Sequence, residues 1–155
     1  MSDDQNKDLG EEASEKYLIF TIENKRYALP SKIISEVAVL EKVFPLPLVP
    51  DYVKGIINRY SIHYVLIDIN YLLAEGASNA GKVIVLKEEV DKLALLIDDV
   101  TDIADLYQNE FIKTEAVENN IAGAVHAYFE WKGSPVFCID TEELLGRIKD
   151  DFDRL

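Results

Sequence analysis

The pattern I-D-x-x-x-L-L occurs at Ile67–Leu73 and again at Ile139–Leu145, each time closing an apolar run. Other echoes follow in the same order along the chain. Val53-Lys-Gly55-Ile-Ile is answered by Ile121-Ala-Gly123-Ala-Val, Ile34-Ser-Glu-Val37 by Ile97-Asp-Asp-Val100, and Tyr27-Ala-Leu29 by Leu93-Ala-Leu95. Matches of three residues arise by chance, and strands followed by turns resemble one another. Four echoes in one order point instead to a duplicated small β unit, two barrels within one domain.

Local signals agree with an all-β chain. Tyr17–Ile22 and Arg26–Leu29 are rich in β-branched and aromatic residues and flank Glu23-Asn24-Lys25, which predicts a hairpin. Pro30 either ends the second strand or starts a short helical turn. Further strands are expected at 55–58, 63–69, 82–88, 92–97, 124–131 and 134–139. Val43–Pro50 holds three of the five prolines and reads as a stiff, extended connector rather than a central strand. Helical periodicity is convincing only at the end, where Leu144, Leu145, Ile148, Phe152 and Leu155 fall on one face. Asp140 or Thr141 would cap that helix, with Glu143 three residues after Asp140 as a capping box requires. Short strands at close spacing with few helices predict a barrel or sandwich. Residues 1–15 carry six acidic residues and no apolar periodicity, so they are expected to form a disordered acidic tail before one domain at 16–155.

Charge and cysteine content narrow the function. A net charge of −13 disfavours nucleic acid and anionic membranes, because no basic stripe is present to displace counterions. Cys138 is the single cysteine, so an internal disulfide is excluded and a reducing cytosol fits. The N-terminus lacks a signal-peptide apolar region, and no apolar run reaches the ~20 residues of a membrane span. The expected location is cytoplasmic, without direct membrane insertion.

The catalytic inventory is nearly empty. Neither G-x-x-x-x-G-K-[ST] nor G-x-G-x-x-G occurs, and one cysteine with two histidines cannot build a clustered zinc site. Cys138 with His63 or His126 could form a nucleophile–base pair, but Val136-Phe-Cys-Ile139 is an apolar strand in which a small buried thiol is the simpler account. Asp98, Asp99, Asp102 and Asp105 lack the alternation, glycine and terminal glutamate of an EF-hand loop and read as a solvated turn. His63 alternates with Val65, Ile67 and Ile69, which places it on their face or at a hairpin rim. Tyr64, Tyr71, Tyr107 and Tyr128 share no strand with basic residues, so they do not form a base-stacking platform. A β-barrel module for nucleic acid or a small ligand stays as an alternative. A phosphate-handling enzyme or response regulator would need alternating strands and helices.

The ordered series resembles the CheW-type chemotaxis coupling domain family. It comprises the Tyr17–Leu29 hairpin, Ile34-x-Glu-Val37, Pro47-x-x-Pro50-x-Tyr-Val-x-Gly55-Ile-Ile-Asn58 and Val65-Leu-Ile-Asp68. It continues through Val83–Leu86, Leu95-Leu-Ile-Asp98-x-Val100-x-x-Ile103, Ile121-x-Gly123 and Ile139-Asp140-x-x-x-Leu-Leu145, so that it spans about residues 17–148. The resemblance implies two packed five-stranded β-barrels of SH3/OB-like type with a C-terminal α-helix. It also implies a non-enzymatic adaptor without cofactor or metal. The implied partners are the regulatory domain of a CheA-like histidine kinase and the cytoplasmic tip of a transmembrane chemoreceptor. Partner-contacting positions are expected at Ile34, Glu36, Val37, Asn58, Arg59 and Tyr60. The chain departs from the family pattern where an arginine–glycine pair is usual: Tyr60 and Ser61 stand there. Tyrosine offers no guanidinium fork, and serine enters positive φ less easily than glycine. Arg59 could stand in for the missing charge only through a one-residue shift of the hairpin. A divergent scaffold in another signalling array is the alternative reading.

Overall fold

The computed structural model describes residues 13–72, 81–114 and 124–155. Eleven strands lie among them: β1 (Glu15–Ile22), β2 (Lys25–Pro30), β3 (Ile34–Val39), β4 (Val53–Arg59), β5 (Ile62–Asp68), β6 (Lys82–Leu86), β7 (Leu93–Ile97), β8 (Asp99–Leu106), β9 (Ile112–Lys113), β10 (Val125–Trp131) and β11 (Ser134–Ile139). Two α-helices follow the I-D pairs, α1 (Ile69–Leu72) and α2 (Thr141–Asp153), and Ser31–Ile33 forms the short turn after Pro30 as a 3-10 helix. The strands make a six-stranded sheet, β9-β10-β11-β2-β1-β8, and a five-stranded sheet, β3-β6-β7-β5-β4.

The two orders are the same order. Each sheet has one parallel pair among antiparallel ones, with Phe137 opposite Tyr27 in the first and Val65 opposite Leu93 in the second. The β10–β11 hairpin therefore corresponds to β4–β5, β1–β2 to β6–β7, and β8 to β3. Short β9 is the extra strand. Bulges recur at equivalent places: Ser35 and Thr101 are each left over in their ladders, as are Lys54 and His126. Even the helix entries match, because Asp68 Oδ1 accepts from the Tyr71 amide at 3.3 Å and Asp140 Oδ1 from the Glu143 amide at 3.2 Å. The expected architecture of two small packed β units and a C-terminal helix is present.

The chain exchanges strands between the units. After the β1–β2 hairpin of the six-stranded sheet it crosses to lay β3, β4 and β5 in the five-stranded sheet; after β6–β7 there it crosses back with β8 to β11. Both faces of β6 and β7 are thereby buried, which is why Val83–Leu86 and Leu93–Ile97 read as unbroken apolar runs. Phe20, Tyr27, Ile67, Ile84 and Leu95 fill the core shared by the sheets. Their neighbours turn inward, Ile57, Leu66, Val83 and Leu96 within the five-stranded unit, and Ile19, Ala28, Phe129 and Val136 within the six-stranded unit.

Among the described residues no backbone ladder joins the two edges of the five-stranded sheet, β3 and β4. Ala38 and Leu40 on one side and Ile57 on the other nevertheless share the inner core. The connector fills part of the seam: Phe44 and Ile56 exchange two backbone hydrogen bonds, at 2.8 and 2.7 Å. Gly55 makes that approach possible. At φ +142°, a Cβ on it would lie 2.3 Å from the Phe44 carbonyl oxygen.

Some local expectations are corrected. Strands β3, β8 and β9 lie outside the expected set; in β8 three aspartates depress strand propensity. Asp99, Asp102 and Asp105 lie along this edge strand rather than in a turn, and contact Lys82, Lys132 and Lys16 at 2.6, 3.2 and 3.0 Å. Hydrogen bonds from Lys82 and Lys132 hold Asp99 and Asp102 below the ordinary carboxyl range. Glu15, assigned to the tail, is the first residue of β1 and pairs with Leu106; residues 1–12 lie outside the described residues. Leu155 does not join the apolar face of α2, since the helix ends at Asp153 and the leucine is exposed. Ile121 and Gly123 also lie outside the described residues.

Helix α2 docks through Leu144 and Ile148 and is tied by the Tyr52 hydroxyl to the turn that follows the connector. Tyr52 donates to Asp151 Oδ2 at 2.7 Å, and Arg147 Nε donates to the same oxygen at 2.9 Å. The Tyr52 hydrogen bond, then that of Arg147, holds the Asp151 carboxyl below its usual range. A carboxyl depressed in the folded state adds stability above its unfolded pKa and loses it as pH falls through the folded one. Tyr52→Phe is expected to cost about 1 kcal/mol at neutral pH. In urea titrations the gap from the parent should narrow below about pH 4.

Candidate docking surface

The β4–β5 hairpin closes with two residues, Arg59 pairing with Ile62. Tyr60 and Ser61 both adopt left-handed conformations, φ 53° and 67°, as a type I′ turn demands. Such turns favour glycine, and the equivalent β10–β11 turn has Lys132 and Gly133 at φ 49° and 85°. Ser61→Gly is therefore expected to stabilise the fold by about 0.4–1 kcal/mol, read as a higher urea midpoint at unchanged slope. Tyr60 is 82% exposed at the tip.

Of the six expected contact positions, the structure joins three directly. Arg59 Nε and Nη2 donate to Glu36 Oε2 and Oε1 at 3.0 and 2.9 Å. The Arg59 guanidinium carbon also lies 5.4 Å from the centroid of the Tyr60 ring. Because Glu36 is on β3 and Arg59 on β4, this fork spans the open seam of the sheet. Both side chains are about one-quarter exposed (24% and 25%), so the pair is shielded more than a surface salt bridge. The Glu36 hydrogen bonds raise the Arg59 pKa above its ordinary value.

Val37 is exposed on β3, and Asn58 is exposed on β4 beside Arg59. Ile34 faces the other way, half-buried against the shared core. Sequence reasoning passed over three further residues. Val39, 65% exposed, continues the outward alternation of Val37, a period-2 signal that was there to be read. Phe44 is exposed with the Lys42 ammonium 4.9 Å from its ring centroid. Leu48, exposed on the same connector, holds a positive φ of 58°. Between β3, the connector and β4 lies a cleft of about 250 Å³, lined by Val39, Leu40, Phe44, Ile57, Asn58 and Arg59.

A wider cavity of about 450 Å³ opens in the six-stranded unit beside Tyr17, Phe111, His126 and Cys138, and none of the six positions lines it. Burial pushes the Cys138 thiol up to about 12, which removes the thiolate a nucleophile needs. His63 is exposed near the hairpin tip.

The seam therefore carries exposed apolar side chains on a braced sheet edge, around a neutralised ion pair. The chain belongs to the CheW-like domain family, a family of non-enzymatic scaffolds, whose model matches residues 16–149. It is 26% identical over 100 residues to the chemotaxis protein CheW of Klebsiella aerogenes, a match covering 63% of this chain and 60% of that relative. The match thus spans less than two thirds of the relative's length. The crystal structure of the scaffolding protein TtCheW from Thermoanaerobacter tengcongensis superposes with a TM-score of 0.73 at 18% identity, covering 81% of this chain and 84% of that one. That likeness establishes the fold.

Proposed function

We propose that this protein is a cytoplasmic signal-transduction adaptor that couples chemoreceptors to a CheA-like histidine kinase. Family membership supports the reading, and the observation that carries it is the apolar surface of Val37, Val39, Phe44 and Tyr60 around the Glu36–Arg59 fork. Rigid presentation of apolar anchors within a polar rim is what a docking surface requires. Residues 16–155 act in this reading as one domain, and the partners are proteins rather than nucleic acid or membrane lipid.

Calorimetric titration against CheA-like kinase regulatory domains and chemoreceptor cytoplasmic tips from the same genome tests it. Binding at micromolar affinity or tighter is expected for at least one of them. Absence of binding to all of them would overturn the coupling role.

A further inference from the structure

The equivalence of the two sheets allows their free edges to be compared residue by residue. Ile34-Ser-Glu-Val-Ala-Val-Leu40 corresponds to Val100-Thr-Asp-Ile-Ala-Asp-Leu106, with the bulged residue of each ladder in the same place. Both edges are braced by a carboxylate reaching the opposite hairpin, Glu36 to Arg59 and Asp102 to Lys132. They differ in what they show to solvent. Both expose an apolar residue at equivalent places, Val37 and Ile103, but β8 flanks it with exposed Asp99 and Asp105, the charge that keeps an edge from pairing, whereas β3 has valine, Val39, where β8 has Asp105.

Charge at the β3 edge is balanced in a chain that is otherwise strongly acidic. Glu36 and Glu41 are offset by Arg59 and Lys42, against a net charge of −13 for the whole sequence. The Nε–Nη2 side of Arg59, which would take an incoming carboxylate side-on, is already filled by Glu36. The exposed apolar surface left to a partner at the tip is the ring of Tyr60.

We propose that Tyr60 is an aromatic anchor for a partner surface that is apolar and carries no carboxylate opposite the hairpin tip, and that Arg59 is a positioning residue held by Glu36. This rests on the adaptor reading and adds the chemistry of recognition to it. The ring supplies buried area, the guanidinium beside it limits its rotation, and Glu36 fixes the guanidinium. Association driven this way is nearly insensitive to salt, since no exposed charge is consumed.

The test uses the full chain, with circular dichroism confirming that each variant is folded, titrated against the kinase regulatory domain and receptor tip named above. Tyr60→Ala should weaken binding about 30-fold or more, as for a central anchor. Tyr60→Phe should stay within about threefold, and Glu36→Gln should weaken binding several-fold by releasing Arg59. Raising salt from 50 to 500 mM should change the parent Kd by less than about threefold. Tighter, salt-sensitive binding by Glu36→Gln or Tyr60→Arg would overturn the inference while leaving the adaptor reading intact, because it would reveal a carboxylate on the partner. A parent chain that binds neither probe removes the adaptor reading and the partner chemistry together. The positioning role has its own partner-free measurement: a double-mutant cycle between Glu36→Gln and Arg59→Gln in thermal unfolding should show coupling, and additive effects would overturn it.

Discussion

Gly55→Ala is expected to destabilise the protein by about 2–6 kcal/mol, combining a steric and a conformational cost of roughly 1–3 kcal/mol each. The added Cβ would sit 2.3 Å from the Phe44 carbonyl oxygen, 2.9 Å from its carbonyl carbon and 2.9 Å from Val43 Cγ1. Two of those atoms are backbone, so no side-chain rotation relieves the clash. The backbone also stands at φ +142°, a conformation alanine rarely adopts. Relief requires Phe44 to leave Ile56, breaking both hydrogen bonds of the bridge and lifting the connector from the seam. The urea midpoint should fall sharply, and any folded remainder should lose partner affinity, because Phe44 belongs to the proposed docking surface. A Gly55→Ala variant with parental stability would show that the connector does not lie on β4.

A second large effect is expected far from that surface. Phe129 is buried in the inner core of the six-stranded unit, beside Phe111 at 5.9 Å and Tyr17 at 6.5 Å between ring centroids. Phe129→Ala should cost about 3–5 kcal/mol, a large share of the roughly 5–15 kcal/mol that holds a domain folded. The informative readout lies in the other sheet. Because both sheets pack into one shared core, with Phe20 and Tyr27 of one beside Ile67, Ile84 and Leu95 of the other, neither can unfold without exposing the core of its partner. Native-state hydrogen exchange should therefore show the slowest amides of β6 and β7 losing protection by the same free energy, roughly two to three and a half powers of ten. Loss confined to β10, β11 and β1 would mean two independent units.

The sequence displayed the duplication, though partly through accidents of spelling. Tyr27-Ala-Leu29 with Leu93-Ala-Leu95, and the two I-D-x-x-x-L-L segments, are in register with the paired strands. The other two echoes are out of register. Val53 opposite Ile67 and Val125 opposite Ile139 place Ala127, not Gly123, in correspondence with Gly55. Likewise Ile34 corresponds to Val100 rather than Ile97. The longest true match, Ile34–Leu40 with Val100–Leu106, stayed hidden for a physical reason: conservative exchanges of Ile for Val, Ser for Thr and Glu for Asp preserve strand chemistry while erasing identities. The spacing between repeats also changes after it, so no single period aligns the whole chain.

The candidate docking surface was legible by segment and not by geometry. The apolar edge at Val37 and the polar hairpin tip were visible, since outward alternation and turn residues are local properties. That Glu36 meets Arg59 was not, because the contact joins the first and last strands of a sheet whose order is settled only by long-range pairing. For the same reason Arg59 looked like a substitute charge for a partner, whereas it is occupied within the molecule.

The strand exchange also bears on how such a surface can specialise. A two-fold homodimer of a half-length chain could fill both sheets with the same strands, but every substitution would then appear at both edges. With both copies in one polypeptide, Val39 and Asp105 are separate positions. One edge can be kept soluble by charge while the other becomes adhesive, and neither change constrains its counterpart. The fused duplication thus lets the two rims differ, one carrying aspartates at 99 and 105 beside Ile103 and the other valines at 37 and 39, a difference that symmetry would have denied.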